Sequence, residues 1–301
     1  MLRHLPTGLD TRPLTMADVP AGARLVGACE QHFVGEIFID EGDVTAMWTA
    51  PGVDLSTDSV GVFEGDALVA GAIMDDRRFV VAEVLPSHFG RGIGTALIEW
   101  IDAHARDKGL PIAEQEIAST DTVGAALLEV SGYTRTHDDC VLRLDEGAEI
   151  RRHQLPADVT IGGFEEADAP EVHRVISEAF AEWQVVPPRG YDDWRAVVID
   201  RAGANPSHSR VARAGGEVVG AAIVLDSAGA TWVPQLAVRA DRRRQGIAQE
   251  LLAEAFEAGR QRGNATGELA TSALTGALAL YQGLGMRIVA EFHTWEKAYQ
   301  P

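Results

Sequence analysis

The segment Arg243-Arg244-Gln245-Gly246-Ile247-Ala248 carries the clearest chemical signal in this chain of 301 residues. It joins a strand-like run through Leu236, Ala237 and Val238 to a stretch in which Ile247, Leu251, Leu252, Ala255 and Phe256 share one helical face. A loop between a strand and a helix start presents unpaired main-chain N–H groups at the positive end of the helix dipole. Small residues at 246 and 248 let an anion reach that main chain, and Arg242, Arg243 and Arg244 add positive charge. The chemistry served by such a loop is phosphate binding. Two common phosphate motifs do not fit: no Lys-Ser/Thr pair follows the glycines, and Gly92-Ile93-Gly94 lacks the third glycine of a dinucleotide fingerprint.

The elements around this loop occur twice. Ala17-Asp18-Val19-Pro20 returns as Ala167-Asp168-Ala169-Pro170, and the strand-like run around Gly71 returns around Gly220. VLPSHFGRGIGTAL, ending at Leu97, returns as VRADRRRQGIAQEL, ending at Leu251, and Ser131-Gly132-Tyr133 returns as Leu284-Gly285-Met286. Four matches in one order, each about 150 residues apart, define a duplicated fold. The seam falls in the charged, Gly- and Pro-containing segment 146–158, which predicts domains at 1–148 and 157–301. Each half opens with a helix. In the second, Asp168 as cap, Pro170 in the first turn and Glu171 spell a capping box. Further strands are expected through Leu236–Val238, Glu268–Thr271 and Val289–Trp295, with helices after Gly246 and around Tyr281. Strands outnumber helices without regular alternation, so the expected fold class is α/β with a mixed, mostly antiparallel sheet flanked by helices.

Composition bounds the function. A length of 301 residues exceeds the growth of one core, and 46% hydrophobic against 24% charged residues supports a globular protein. No apolar run approaches the roughly 20 residues that span a bilayer, and MLRHLPTGLDTRP has no signal-peptide core, which places the protein in the cytoplasm. The formal charge of −19 repels a phosphate backbone, so nucleic acid is not an expected partner. Cys29 and Cys140 are too few for a disulfide framework, and neither they nor the nine histidines show metal-ligand spacing, so no metal is expected.

Arg243, Gly246 and Ala248 match R/Q-x-x-G-x-G/A, and this loop resembles the pyrophosphate loop of the GNAT superfamily of N-acetyltransferases. The resemblance covers both halves, and LAVRADRRRQGIAQELL followed by ALALYQGLGM makes the second the better match. It implies acetyl-coenzyme A as co-substrate, with Leu236, Ala237 and Val238 beside the pantetheine arm and Arg243, Arg244, Gln245, Gly246, Ile247 and Ala248 around the diphosphate. A main-chain N–H near Leu236 would stabilise the oxyanion, and Pro234 suits a bulge or parted strands. Tyr281, four residues before Gly285, stands where family members carry the acid that protonates the departing thiolate; its plain alternative is packing between Leu278 and Leu284. Glu268 faces the same region but is not assigned as a base. Leu274 replaces an asparagine that many members carry.

In the first half Phe89 replaces the arginine that opens the motif, and Leu128 stands at the tyrosine position, so this copy reads as a scaffold whose glycine loop could still hold coenzyme A. The resemblance implies a small-molecule amine as acceptor, with Phe180 to Tyr191, Trp183, Trp194 and the tail His293 to Tyr299 either lining its pocket or packing. The expected partner set is that amine alone, the chain acting as monomer or homodimer. The alternative reading is a non-catalytic acyl-coenzyme A sensor.

Overall fold

The computed structural model describes residues 2, 5–183, 188–201, 203–227 and 229–299. The chain forms two compact units. Unit 1 comprises Met1–Asp138 with Glu291–Pro301, and unit 2 comprises Asp139–Ala290.

Unit 1 is built from β1 (Asp10–Arg12), α1 (Val19–Phe33), α2 (Glu41–Trp48), α3 (Leu55–Asp58), β2 (Ser59–Glu64), β3 (Ala67–Met74), β4 (Phe79–Val84), α4 (Ile93–Asp107), β5 (Ile112–Ala118) and α5 (Thr122–Val130). Next in the chain come β6 (Thr134–Leu144), β7 (Val159–Gly163), α6 (Ala169–Phe180), α7 (Tyr191–Trp194), β8 (Arg210–Ala214), β9 (Glu217–Ser227), β10 (Ala230–Val238), α8 (Ile247–Arg262), β11 (Thr266–Ser272), α9 (Leu278–Gly283) and β12 (Arg287–Ala298). Unit 1 orders its strands β1-β2-β3-β4-β5-β12, and unit 2 orders its own β6-β11-β10-β9-β8-β7. All pairs within the units are antiparallel except β4 with β5 and β10 with β11. The mixed, mostly antiparallel sheet follows from hairpin turns at Gly65-Asp66 and Gly215-Gly216, with helical crossovers before β5 and β11.

Each sheet is covered on both faces, which is why its strands read as near-continuous apolar runs. In unit 2, Val172, Val175, Ile176 and Trp194 pack with Val211, Ile223 and Ala237, while Ile247, Leu251, Phe256 and Tyr281 pack with Ala212, Val224 and Val238 on the opposite face. Unit 1 repeats the arrangement with Leu25, Val44 and Trp48 on one side and Ile93, Leu97, Ile101 and Leu128 on the other.

Two details differ from the sequence-based expectation. The capping box of the helix at Asp168 closes one turn earlier: Asp168 accepts from the N–H of Glu165 and from Arg213, while Glu171 pairs with Arg174. The neighbouring Arg213 offers the Asp168 carboxylate a stronger, charged donor than a helix amide. The last strand also serves unit 1. Phe292–Ala298 pairs along Ala118–Ile112 of β5, whereas Asp139–Leu144 pairs along β11.

Candidate active site

Both units part their central strands at one place. In unit 2 the parallel pairing of β10 with β11 ends at Trp232 with Glu268, and the register of β10 on β9 slips between Trp232 and Gln235, across Pro234. Proline cannot donate to the ladder, so the bulge and the parting fall where the strand has lost a rung. In unit 1, β4 pairs with β5 only at Phe79 and Val80, with no slip against β3.

The loops after these strands share their backbone. Gly92 and Gly246 begin α4 and α8 with φ of 81° and 78°, and two residues earlier Gly90 and Arg244 have φ of 73° and 61°. Arg244 therefore holds a left-handed conformation that its counterpart fills with glycine, at a cost on the order of 1 kcal/mol. Among the described residues, no main-chain N–H from Arg244 to Ala248 donates to another protein group. The sixteen-residue α8 thus offers its positive tip unspent.

The arginines divide. Arg242 pairs with Asp158 at 2.8 Å, and Arg243 grips Glu182 through both terminal nitrogens at 2.6 and 2.7 Å while its Nε donates to the carbonyl of Val238. Arg244 has no ion pair among the described residues. Arg243 therefore ties the loop to the strand and to the segment just after α6, leaving Arg244 without an ion pair among the described residues. Leu236, Val238, Ile247, Ala248 and Tyr281 share one apolar cluster, whereas the Ala237 side chain packs on the α6 face, so only its main chain is left for a ligand along β10.

Tyr281 lies on α9 and is 7% exposed. Burial alone pushes its phenol up to about 12, and no described residue partners its hydroxyl. It is fully protonated at neutral pH, as an acid must be. Glu268 is spent elsewhere: it is buried against Arg143 at 2.6 Å and accepts from Thr266. Leu274 is half-exposed, with its N–H donating to Ser272.

Of the aromatics read as pocket candidates, Phe180 packs on Trp183, and Trp194 is buried with its indole N–H donating to Gln235 at 3.0 Å. Residues 184–187 lie outside the described residues. The tail from His293 to Tyr299 belongs with unit 1, where Lys297 and Tyr299 both donate to Asp102.

Unit 1 holds a cavity of about 400 Å³ lined by its glycine loop, Glu83, Gln115, Ile117 and Leu128. Burial raises the Glu83 carboxyl to about 7, opposed by the neighbouring Cys29 thiol. Glu83 and Ala237 each stand nine residues before the glycines that start α4 and α8, and Leu128 and Tyr281 occupy one cap position, accepting from the N–H of Tyr133 and Met286. The two chemically useful groups are thus divided: unit 1 carries the carboxylate, unit 2 the phenol. Nothing in the local sequence marks Glu83, because the burial that shifts it is set by the tertiary fold.

It also passed over Glu250 and His153. The basic run Arg151-Arg152-His153 lies along the acidic stripe Glu250, Glu254 and Glu257 of α8, with Arg152 reaching all three at 2.9, 3.1 and 3.0 Å. The helical spacing of those glutamates was the available signal.

Residues 170–286 match the model of the acetyltransferase (GNAT) family, so a GNAT domain lies in the C-terminal part of the chain. A GCN5-related N-acetyltransferase from Sphaerobacter thermophilus is similar over 99% of this chain and 98% of its own, at 28% identity and a TM-score of 0.82. A tandem GNAT protein of the clavulanic acid biosynthesis pathway aligns over 97% of this chain and 99% of its own, at 16% identity and a TM-score of 0.73. The N-myristoyltransferase of Saccharomyces cerevisiae, solved with bound myristoyl-CoA, aligns over 100% of this chain and 81% of its own, at 10% identity and a TM-score of 0.70. No curated protein matches the chain. The fold is therefore that of tandem GNAT proteins, a fold that supports acyl transfer from an acyl-coenzyme A.

Proposed function

We propose, from the GNAT domain within residues 170–286, that the chain is an N-acetyltransferase carrying an acetyl group from acetyl-coenzyme A to a primary amine of a small molecule, with the chemistry in unit 2. The observation that carries this reading is Tyr281, a buried phenol with an unpartnered hydroxyl in the same apolar cluster as the start of α8. The main-chain amides from Arg244 to Ala248 hold the diphosphate, with Arg243, Gln245 and Ile247 shaping the loop, and β10 from Leu236 through Ala237 to Val238 lies along the pantetheine. The amine nitrogen bonds to the thioester carbon, the carbon–sulfur bond breaks, the leaving thiolate takes its proton from Tyr281, and the proton lost by the nitrogen restores the Tyr281 phenol. The protein would work in the cytoplasm, as monomer or homodimer.

A screen of primary amines with thiol release as readout tests this reading. Turnover that falls in Tyr281→Phe while coenzyme A affinity holds supports it. Binding of acetyl-coenzyme A with no turnover on any amine favours the sensor instead.

The unit 1 cavity favours a second, compatible reading, in which that glycine loop also binds an acyl-coenzyme A without transferring it, because Leu128 has no proton to give. Titration then finds two molecules per chain, unit 2 filling first; saturation of unit 1 alone refutes that order.

A further inference from the structure

Before entering β7, residues 145–158 run along α8 without helix or strand of their own. Arg260 donates to the carbonyl of Ala148 near one end of α8, and at the other Gln249 donates to the carbonyl of Arg151. Glu250, 4% exposed, spends both carboxylate oxygens on this segment: one accepts from Arg152 Nε and the other from the main-chain N–H of His153, each at 2.9 Å. That bond places the His153 ring over the loop. A Cβ at Gly246 would lie 1.8 Å from His153 Cδ2 and 2.4 Å from its Nε2. At the matching Gly92 of unit 1 a Cβ would meet nothing within 4 Å, so the ring is an addition of unit 2 and no part of the shared loop design.

The ring is chemically unspent. Neither nitrogen of His153 has a partner among the described residues, and Arg151 and Arg244, which flank the same helix tip, form no ion pair there. This is unusual in a chain of net charge −19, where Arg152, Arg242 and Arg243 close by are all paired to carboxylates. We propose that His153 is a further coenzyme-binding residue of unit 2, a ring N–H donating to the diphosphate that the Arg244–Ala248 amides hold, and that Glu250 is its positioning residue. The proposal rests on reading that loop as the coenzyme A site. Anions gain most from charge-assisted or convergent donors, and an imidazole pinned by a main-chain bond reaches the site with little left to order.

Calorimetric titration of the full chain with coenzyme A tests it. His153→Phe keeps a ring over Gly246 without a nitrogen, His153→Ala removes the ring, and His153→Gln keeps an N–H donor. The expected result is a dissociation constant at the unit 2 site raised about tenfold in the Phe and Ala variants and largely restored in Gln. Glu250→Ala, which removes the acceptor of the His153 main-chain N–H, should weaken binding as His153→Ala does, and the double variant should add little to either. The unit 1 cavity, which has no counterpart of His153, serves as internal standard. Phe or Ala variants that bind as tightly as the unsubstituted chain, or more tightly, overturn the proposal, the latter making the ring a plug. So does a Gln variant as weak as Phe. An unsubstituted chain that binds no coenzyme A in unit 2 fails at the first titration, and brings down the reading of the loop itself.

Discussion

The imidazole of His153 fills the space that Gly246 leaves by lacking a side chain, whereas Gly92, its counterpart, faces open space. Both glycines hold a left-handed φ, so a substitution at either strains the backbone, but only one also meets a ring.

Gly92→Ala should therefore cost on the order of 1 kcal/mol of stability, and Gly246→Ala more, by about a further 1 kcal/mol. In the background His153→Gly the two costs should converge. Chemical denaturation of the four variants measures this, and equal costs in the unsubstituted background would show that the ring does not constrain Gly246.

Arg244 holds φ of 61° where unit 1 has glycine. Arg244→Gly should raise the unfolding free energy by about 0.5–1 kcal/mol while weakening coenzyme A several-fold, because it relieves strain and removes the loop cation that has no ion pair among the described residues. Paired thermal melts and titrations check it. A gain in stability with unchanged affinity would mean that the side chain does not reach the ligand.

Tyr281 should control turnover without controlling binding. Tyr281→Phe is expected to lower kcat by about 10- to 100-fold and leave the coenzyme A dissociation constant within about twofold. The phenol is raised to about 12, above its unfolded value near 10, so the folded state keeps its proton longer. Its contribution to stability is intact below about pH 10 and is lost as pH rises towards 12. Alkaline loss of activity with a midpoint near 9 that survives in Tyr281→Phe would belong to another group.

Glu83 carries a consequence of the same sign, but near neutrality. Its carboxyl is raised to about 7, so folding favours the protonated form; stability is fully present below the unfolded value near 4.5 and declines as pH rises through 7. Glu83→Gln should stabilise the protein by on the order of 2 kcal/mol at pH 8.5 and by little at pH 4. A stability difference that does not change with pH would refute the shift.

Deleting residues 291–301 removes the strand that pairs along β5, together with Lys297 and Tyr299 on Asp102. Hydrogen exchange should then speed up in β4, β5 and α4 before it does in β9 and β10. Loss of protection confined to unit 2 would contradict the assignment of the tail.

Much of the site was legible from local pattern. The apolar period of Ile247, Leu251, Leu252, Ala255 and Phe256 located α8, the glycine before it located the turn that starts that helix, and the repeated Gly132 and Gly285 aligned Leu128 with Tyr281. These features depend on backbone preferences and face periodicity, which neighbouring residues set. Pro234 likewise marked its bulge, because a missing N–H is a property of the residue itself.

Long-range pairing decided the rest. Arg243 and Arg244 look equivalent in sequence, yet Glu182, sixty-one residues away, neutralises the first, and the second has no ion pair among the described residues. Glu268 read as a candidate facing the site until Arg143, from a strand preceding the seam, was found to hold it. Glu83 acquires its shift, and His153 its place over Gly246, only when the chain closes on itself. Charge pairing and desolvation depend on which groups the fold brings within a few ångströms, and no local spacing encodes that.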